Sequence, residues 1–321
     1  MQNSTDPFER FRDHPDLPSP TGVALQILEL ADRENTTVDE FIEVVKTDPA
    51  LMQRILQIVN SPFAGLARPI ADVRHAAILL GLKTVAVVAL GVSLIESSEK
   101  ITCQAFSYRT FWSESLARAV TAQQISSKLR FLNPQEAFAI GLLADIGRLV
   151  FASVCPKEYA QLLEKAEDNG ELADLERSTF GLDHDELAAC LMKTWCLPSV
   201  FCAAVQGRKT PQSLAKDGEQ RACRMAEMLN LASQIGATIV KPVIDEDELS
   251  SLIGAAEPLG VSEDEFTALF DSVATEWRRT GKVLNISTKP VPTAEDIRAR
   301  AAAKGEELRE SGGLHHFVQD G

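Results

Sequence analysis

The 321-residue chain predicts an all-α fold. Its apolar residues recur at helical spacing, capping residues stand before most apolar runs, and alternating β-branched segments are nearly absent. No period of 20–50 residues repeats, so a solenoid is not expected.

Residues 1–16 are polar, contain Pro7 and Pro15, and read as a flexible leader. The first strong helix start is Thr37-Val38-Asp39-Glu40, with Thr37 as cap and acids in the first turn. Asp48-Pro49 starts the next, because proline at the first helical position loses no hydrogen bond. Its apolar face is Leu51, Met52, Ile55, Leu56 and Val59, and Asn60-Ser61-Pro62 stops it. Asp72 opens a helix that reads through to Ile95. Others run from about Tyr108 to Leu129, from Asn133-Pro134 through Asp145, and from Asp183 to Leu197-Pro198. Lys216–Val240 and Ser262–Val283 complete the helical set, and the run Asp245–Glu248 reads as a solvated helix start. Thr288–Thr293 reads as a proline-stiffened linker. The charged segment 294–310 after it reads as a connector helix outside the core, polar all round.

Lys and Arg number 32 against 46 Asp and Glu, for a formal net charge of -14. A nucleic-acid partner is therefore not expected, since duplex binding needs clustered cations to displace phosphate counterions. An anionic membrane surface is disfavoured for the same reason. The apolar run Val85–Ile95 is too short to span a bilayer, and no secretory signal opens the chain. Six cysteines form no C-x-x-C pair, which suits reduced, mostly buried thiols and a cytoplasmic location.

The most informative stretch is Gly141-Leu142-Leu143-Ala144-Asp145-Ile146-Gly147-Arg148-Leu149. It resembles the helix carrying the His-Asp pair of HD-superfamily metal phosphohydrolases, but Ala144 stands at the histidine position and has no ligand atom. Further motifs follow in a fixed order. They are Leu17-Pro18-Ser19-Pro20, Thr47–Leu51 through Ile55-Leu56, Val59-Asn60-Ser61-Pro62-Phe63, Ala76–Gly81, Phe111–Ala117, Ala137-Phe138, Leu175-Glu176 with Phe180–His184, and Trp195-Cys196-Leu197-Pro198. Together they resemble the HDOD domain, the HD-related output domain of bacterial signalling proteins.

That resemblance implies a two-lobed helical HDOD domain over 17–215, with an HD-like second lobe. A helical part, 216–286, would pack on it, and 287–321 would hold the linker and connector. It also implies degeneracy of the metal site. By the family's register Glu114 replaces one histidine, Ala144 another, and Gln206–Lys209 the late histidine pair. Asp145 and His184 remain, with Arg208 and Lys209 poised to repel a cation. No cofactor and no catalysis are expected.

On this reading the chain is a non-catalytic regulatory module. It would act on a protein partner or an attached output domain of GGDEF or receiver type, with homodimerisation through the C-terminal helix an option. Two alternatives stand beside it. One is a degenerate phosphohydrolase that retains activity. The other is a nucleotide or anion sensor that uses the vacated pocket through Arg148, Arg208 or Lys209. Asn60 and Ser61 are further candidate contacts, although Asn60 holding its own turn by side-chain-to-backbone bonds is the preferred role.

Overall fold

The computed structural model describes residues 6–18, 20, 22–62, 68–97, 103–167 and 169–303. Among them all regular structure is helical. The early helices are α1 (Glu9–Arg12), α2 (Gly22–Asp32), α3 (Val38–Val45), α4 (Pro49–Val59), α5 (Val73–Leu80) and α6 (Leu82–Ser97). After them come α7 (Tyr108–Leu129), α8 (Pro134–Leu143), α9 (Ile146–Val154), α10 (Pro156–Lys165), α11 (Asn169–Phe180) and α12 (His184–Thr194). The last are α13 (Ser199–Gln206), α14 (Pro211–Lys216), α15 (Gln220–Ile239), α16 (Glu246–Ala256) and α17 (Glu263–Leu284), with α18 over 294–303.

The helix starts follow local chemistry. Thr37 with Glu40, Asp183 with Glu186, Asp245 with Glu248 and Ser262 with Glu265 all form reciprocal capping boxes. Asp48 accepts from the Leu51 N–H, with Pro49 at the first helical position. Each such cap contributes about 1 kcal/mol.

The first lobe packs α2 on α3 and α6, and α4 on α5 and α6. In the second, α7 is the central helix, packed on α8, α15 and α17, while α12 packs on α9 and α13. The lobes meet where α6 lies on α8 and α4 on α17. Burial of α7 is nearly complete, including Ser115, Arg118, Thr121, Gln123 and Ser126, so this helix has no solvent face to advertise. Pro134–Val154 is long and apolar enough by composition to cross a membrane, but 83% of its most apolar window is buried inside the protein.

Several expectations require correction. The leader is not loose over residues 6–16. Phe11 packs edge-on against Phe151 (5.5 Å between ring centres) and Phe180 (6.4 Å), and Arg10 donates to Cys155 Sγ at 3.2 Å. Two buried aromatics, Phe8 and Phe11, anchor an otherwise exposed polar stretch. The helix expected from Asp72 to Ile95 breaks at Gly81, whose φ of +87° ends α5 and turns the chain into α6.

The proline segment is not a free linker either. Ser113 Oγ donates to the Ser287 carbonyl at 2.7 Å, and Lys289 Nζ donates to the carbonyls of Val240 (2.9 Å) and Lys241. Nor is α18 polar all round. Ala294 and Ile297 are buried, the Ala294 N–H donates to Asp271 Oδ1, and Arg298 reaches Glu263 at 2.6 Å. The rest of the expected connector, 304–310, lies outside the described residues. Helices α2, α10 and α11 carried no strong start signal in the sequence. No cysteine is disulfide-bonded, and Cys196 is exposed rather than buried.

Candidate functional site

Asp145 occupies the break between α8 and α9, where its backbone (φ −100°, ψ 14°) leaves the helix for one residue. Its side chain caps nothing and turns into the protein. Two glycines let the neighbouring helices converge there. A Cβ on Gly141 would come 2.8 Å from Ala119 Cα of α7, and one on Gly147 would come 2.0 Å from the His184 carbonyl oxygen of α12. Both contacts are far inside normal van der Waals separation.

Asp145 is held by two arginines. Arg118, one helical turn after Glu114 on α7, donates from Nη1 to Asp145 Oδ2, from Nε to the Gly141 carbonyl at 2.7 Å and from Nη2 to Ser115 Oγ. Arg208, just past α13, donates from Nη2 to Asp145 Oδ1 and lies 2.5 Å from Asp185 Oδ1. Its Nη1 donates to Ser233 Oγ at 3.2 Å. Burial alone would raise the Asp145 pKa, but Arg118 and then Arg208 outweigh it and hold the carboxylate well below its ordinary range. Asp185 is lowered the same way: burial opposes, and Arg208, His184 and Lys209 prevail.

His184, the first residue of α12, sits between acid and base. Its Nδ1 is 2.5 Å from the buried Glu176 carboxylate, which also accepts from the His184 backbone N–H at 2.9 Å. Lys209 Nζ lies 3.3 Å from Nε2 and 3.2 Å from Asp185 Oδ2. Asp145, His184 and Asp185 together offer ligand atoms within 4.8 Å of one another.

Glu114 faces the same space. Burial pushes its pKa up, while Arg148 opposes, 3.9 Å away. All of this borders a cavity of about 430 Å³, walled on its far side by Asn230, Ser233, Gln234 and Ala237 of α15.

Of the residues singled out in the sequence, Glu114, Asp145, Arg148, His184, Arg208 and Lys209 all line this cavity. Ala144 is buried beside them and contributes no ligand. Asn60 and Ser61 are not brought to it. Asn60 exchanges hydrogen bonds with the backbone of Ile70 (2.7 and 2.8 Å), and Ser61 Oγ donates to Gln123 Oε1 on α7. These bonds tie the end of α4 to its surroundings, so neither side chain reads as a surface contact. Arg118, Glu176 and Asp185 were missed. The run Asp183-His184-Asp185-Glu186 was the available signal for Asp185; Arg118 directly follows the Phe111–Ala117 motif and Glu176 lies within Leu175-Glu176, but neither motif assigned these side chains a role.

The fold and site together define a two-lobed helical protein with a charged pocket at the meeting of α7, α9, α12 and α15. A sequence profile of the HDOD domain matches residues 17–211, and the chain belongs to that family. It is 38% identical to the MmoQ response regulator of Methylococcus capsulatus str. Bath, covering 79% of this chain and 97% of that one, with a TM-score of 0.50. An HDOD domain protein of unknown function from Geobacter sulfurreducens shares the fold at 24% identity, with a TM-score of 0.59 over 83% of this chain and 93% of that one. A provisionally assigned phosphohydrolase from Shewanella amazonensis SB2B shares it at 23% identity, with a TM-score of 0.65 over 88% and 99%. The chain also matches a Treponema pallidum (strain Nichols) protein at 26% identity, and the match spans 36% of that protein's length.

Proposed function

We propose that the chain is a non-catalytic signal-transduction module in which Arg208 takes the place of a metal ion. The single observation that carries this is the position of the Arg208 guanidinium, in contact with both Asp145 and Asp185. A cation entering the Asp145–His184–Asp185 group would meet one guanidinium on Asp185 and two on Asp145, with an ammonium at His184 Nε2. The donor set is thus already consumed by protein cations, and a metal does not fit without expelling Arg208. The response-regulator relative supports a signalling role. The output would pass through a protein partner or an associated domain, and helix α18, docked on α17 by Ile297 and Arg298, is the element nearest such a connection.

The second reading is a metal-dependent phosphohydrolase. It is favoured by the Asp145–His184–Asp185 group and by the Glu176–His184 contact, which resembles the carboxylate that orients a metal-bound histidine. Elemental analysis of the desalted protein decides between the two. The proposal expects well under one equivalent of transition metal, no phosphodiester hydrolysis in added manganese, and no gain of activity from Ala144→His, because one added ligand leaves Arg208 in place. Stoichiometric metal with turnover would establish the rival.

A further inference from the structure

The cavity beside this cluster carries more cationic capacity than the protein itself uses. Four cations line it, Arg118, Arg148, Arg208 and Lys209, against two carboxylates, Glu114 and Asp145. Arg118 and Arg208 are spent on Asp145 and Asp185. Arg148 is spent only in part: it contacts the Tyr159 hydroxyl, but among the described residues the one carboxylate within 4 Å of it is Glu114 at 3.9 Å, too long for a hydrogen bond, and its buried Nε has no hydrogen-bond partner. Lys209, about a third exposed, also lines the space, with its ammonium 3.2 Å from Asp185 Oδ2, 3.3 Å from His184 Nε2 and 3.9 Å from Asp183 Oδ2. Opposite both, α15 presents Asn230 and Gln234, one turn apart, whose amides bond to each other at 2.8 Å and retain further donor and acceptor capacity.

We infer that this cavity binds a small organic molecule through an oxyanion group, phosphate or carboxylate, held between Arg148 and Lys209 with the α15 amides contacting its body. A guanidinium and an ammonium lining one partly open cavity suit an oxyanion, and a volume of about 430 Å³ lies within the range of small-molecule sites. Such a ligand would touch α7, α9, α15 and the segment after α13 at once, which is how occupancy could reach the protein surface. The inference rests on the cavity being free of metal, as proposed above.

The test uses the full chain in EDTA, titrated with inorganic phosphate or with acetate at matched ionic strength and followed by thermal unfolding and calorimetry. At least one anion should raise the melting temperature saturably. Arg148→Gln and Lys209→Gln should each weaken its apparent affinity tenfold or more, while Lys157→Gln on the exposed face of α10 should not. The arm that binds identifies the group. If Arg148→Gln fails to fold, Lys209→Gln and Gln234→Ala, both at more exposed positions, carry the test alone. Absence of an anion-specific effect, or equal effects in wild type and Lys209→Gln, would overturn the inference. Binding that needs added manganese would overturn it together with the metal-free reading. Stoichiometric metal in the purified protein with anion binding intact in EDTA would sink only that reading.

Discussion

At the scale of single residues, Arg208 decides the character of the site. It is in ionic contact with two buried carboxylates, Asp145 shared with Arg118 and Asp185 shared with Lys209, and charges buried together are stable only while the pairing is complete. Arg208→Ala should therefore destabilise the protein by about 3–5 kcal/mol in urea unfolding at neutral pH. The pH dependence has a definite sign. The folded-state pKa values of Asp145 and Asp185 lie below their unfolded values, so their stabilising contribution is present in full above the ordinary Asp value of about 3.9. It is lost as pH falls through the lower folded values. Wild-type stability should thus drop in acid, and Arg208→Ala should partly flatten that drop, because both carboxylates lose one of the cations that depress them while Arg118 and Lys209 remain. Equal acid sensitivity in both proteins would refute this account.

At the scale of elements, glycines determine how closely helices approach, and the approach places the side chains. Gly147 lets α9 lie against the start of α12, with no room for even a methyl group next to the His184 carbonyl. Gly147→Ala should cost about 3 kcal/mol, at the upper end of overpacking, and should displace His184 from Glu176. Histidine side-chain NMR resonances would report that displacement alongside the stability loss. Gly141 does the same between α8 and α7, on the helix that carries Arg118. The break between α8 and α9 has a different consequence: it turns one apolar run into two helices and leaves Asp145 at the joint.

At the scale of the whole molecule, segments that look peripheral are part of the core. Phe11 of the N-terminal helix is fully buried against Phe151 and Phe180 of the second lobe. Phe11→Ala should lower stability by about 3–5 kcal/mol, measured by chemical denaturation, although the residue lies far in sequence from both rings it packs against. The segment 287–293 is likewise fastened by Ser113 and Lys289, and α18 is seated by Ile297. A signal reaching either chain end would therefore pass through packed contacts with the second lobe.

The sequence by itself determined the helical class, most capped helix starts, the family and the lack of a histidine before Asp145. These are local properties, set by capping chemistry, apolar spacing and residue order. The roles of Arg118, Arg208, Glu176 and Asp185 were decided only by the tertiary structure. They sit on four separate stretches of chain, and a pair across 27 or 63 positions leaves no local pattern. The packing of residues 6–16 and 287–297 was also hidden, because burial there depends on a few residues, Phe8 and Phe11 in the first and Ala294 and Ile297 in the second, meeting a surface built elsewhere. Local composition reports how a segment folds; which partner fills the space around Asp145 follows from the convergence of α7, α9, α12 and the chain after α13.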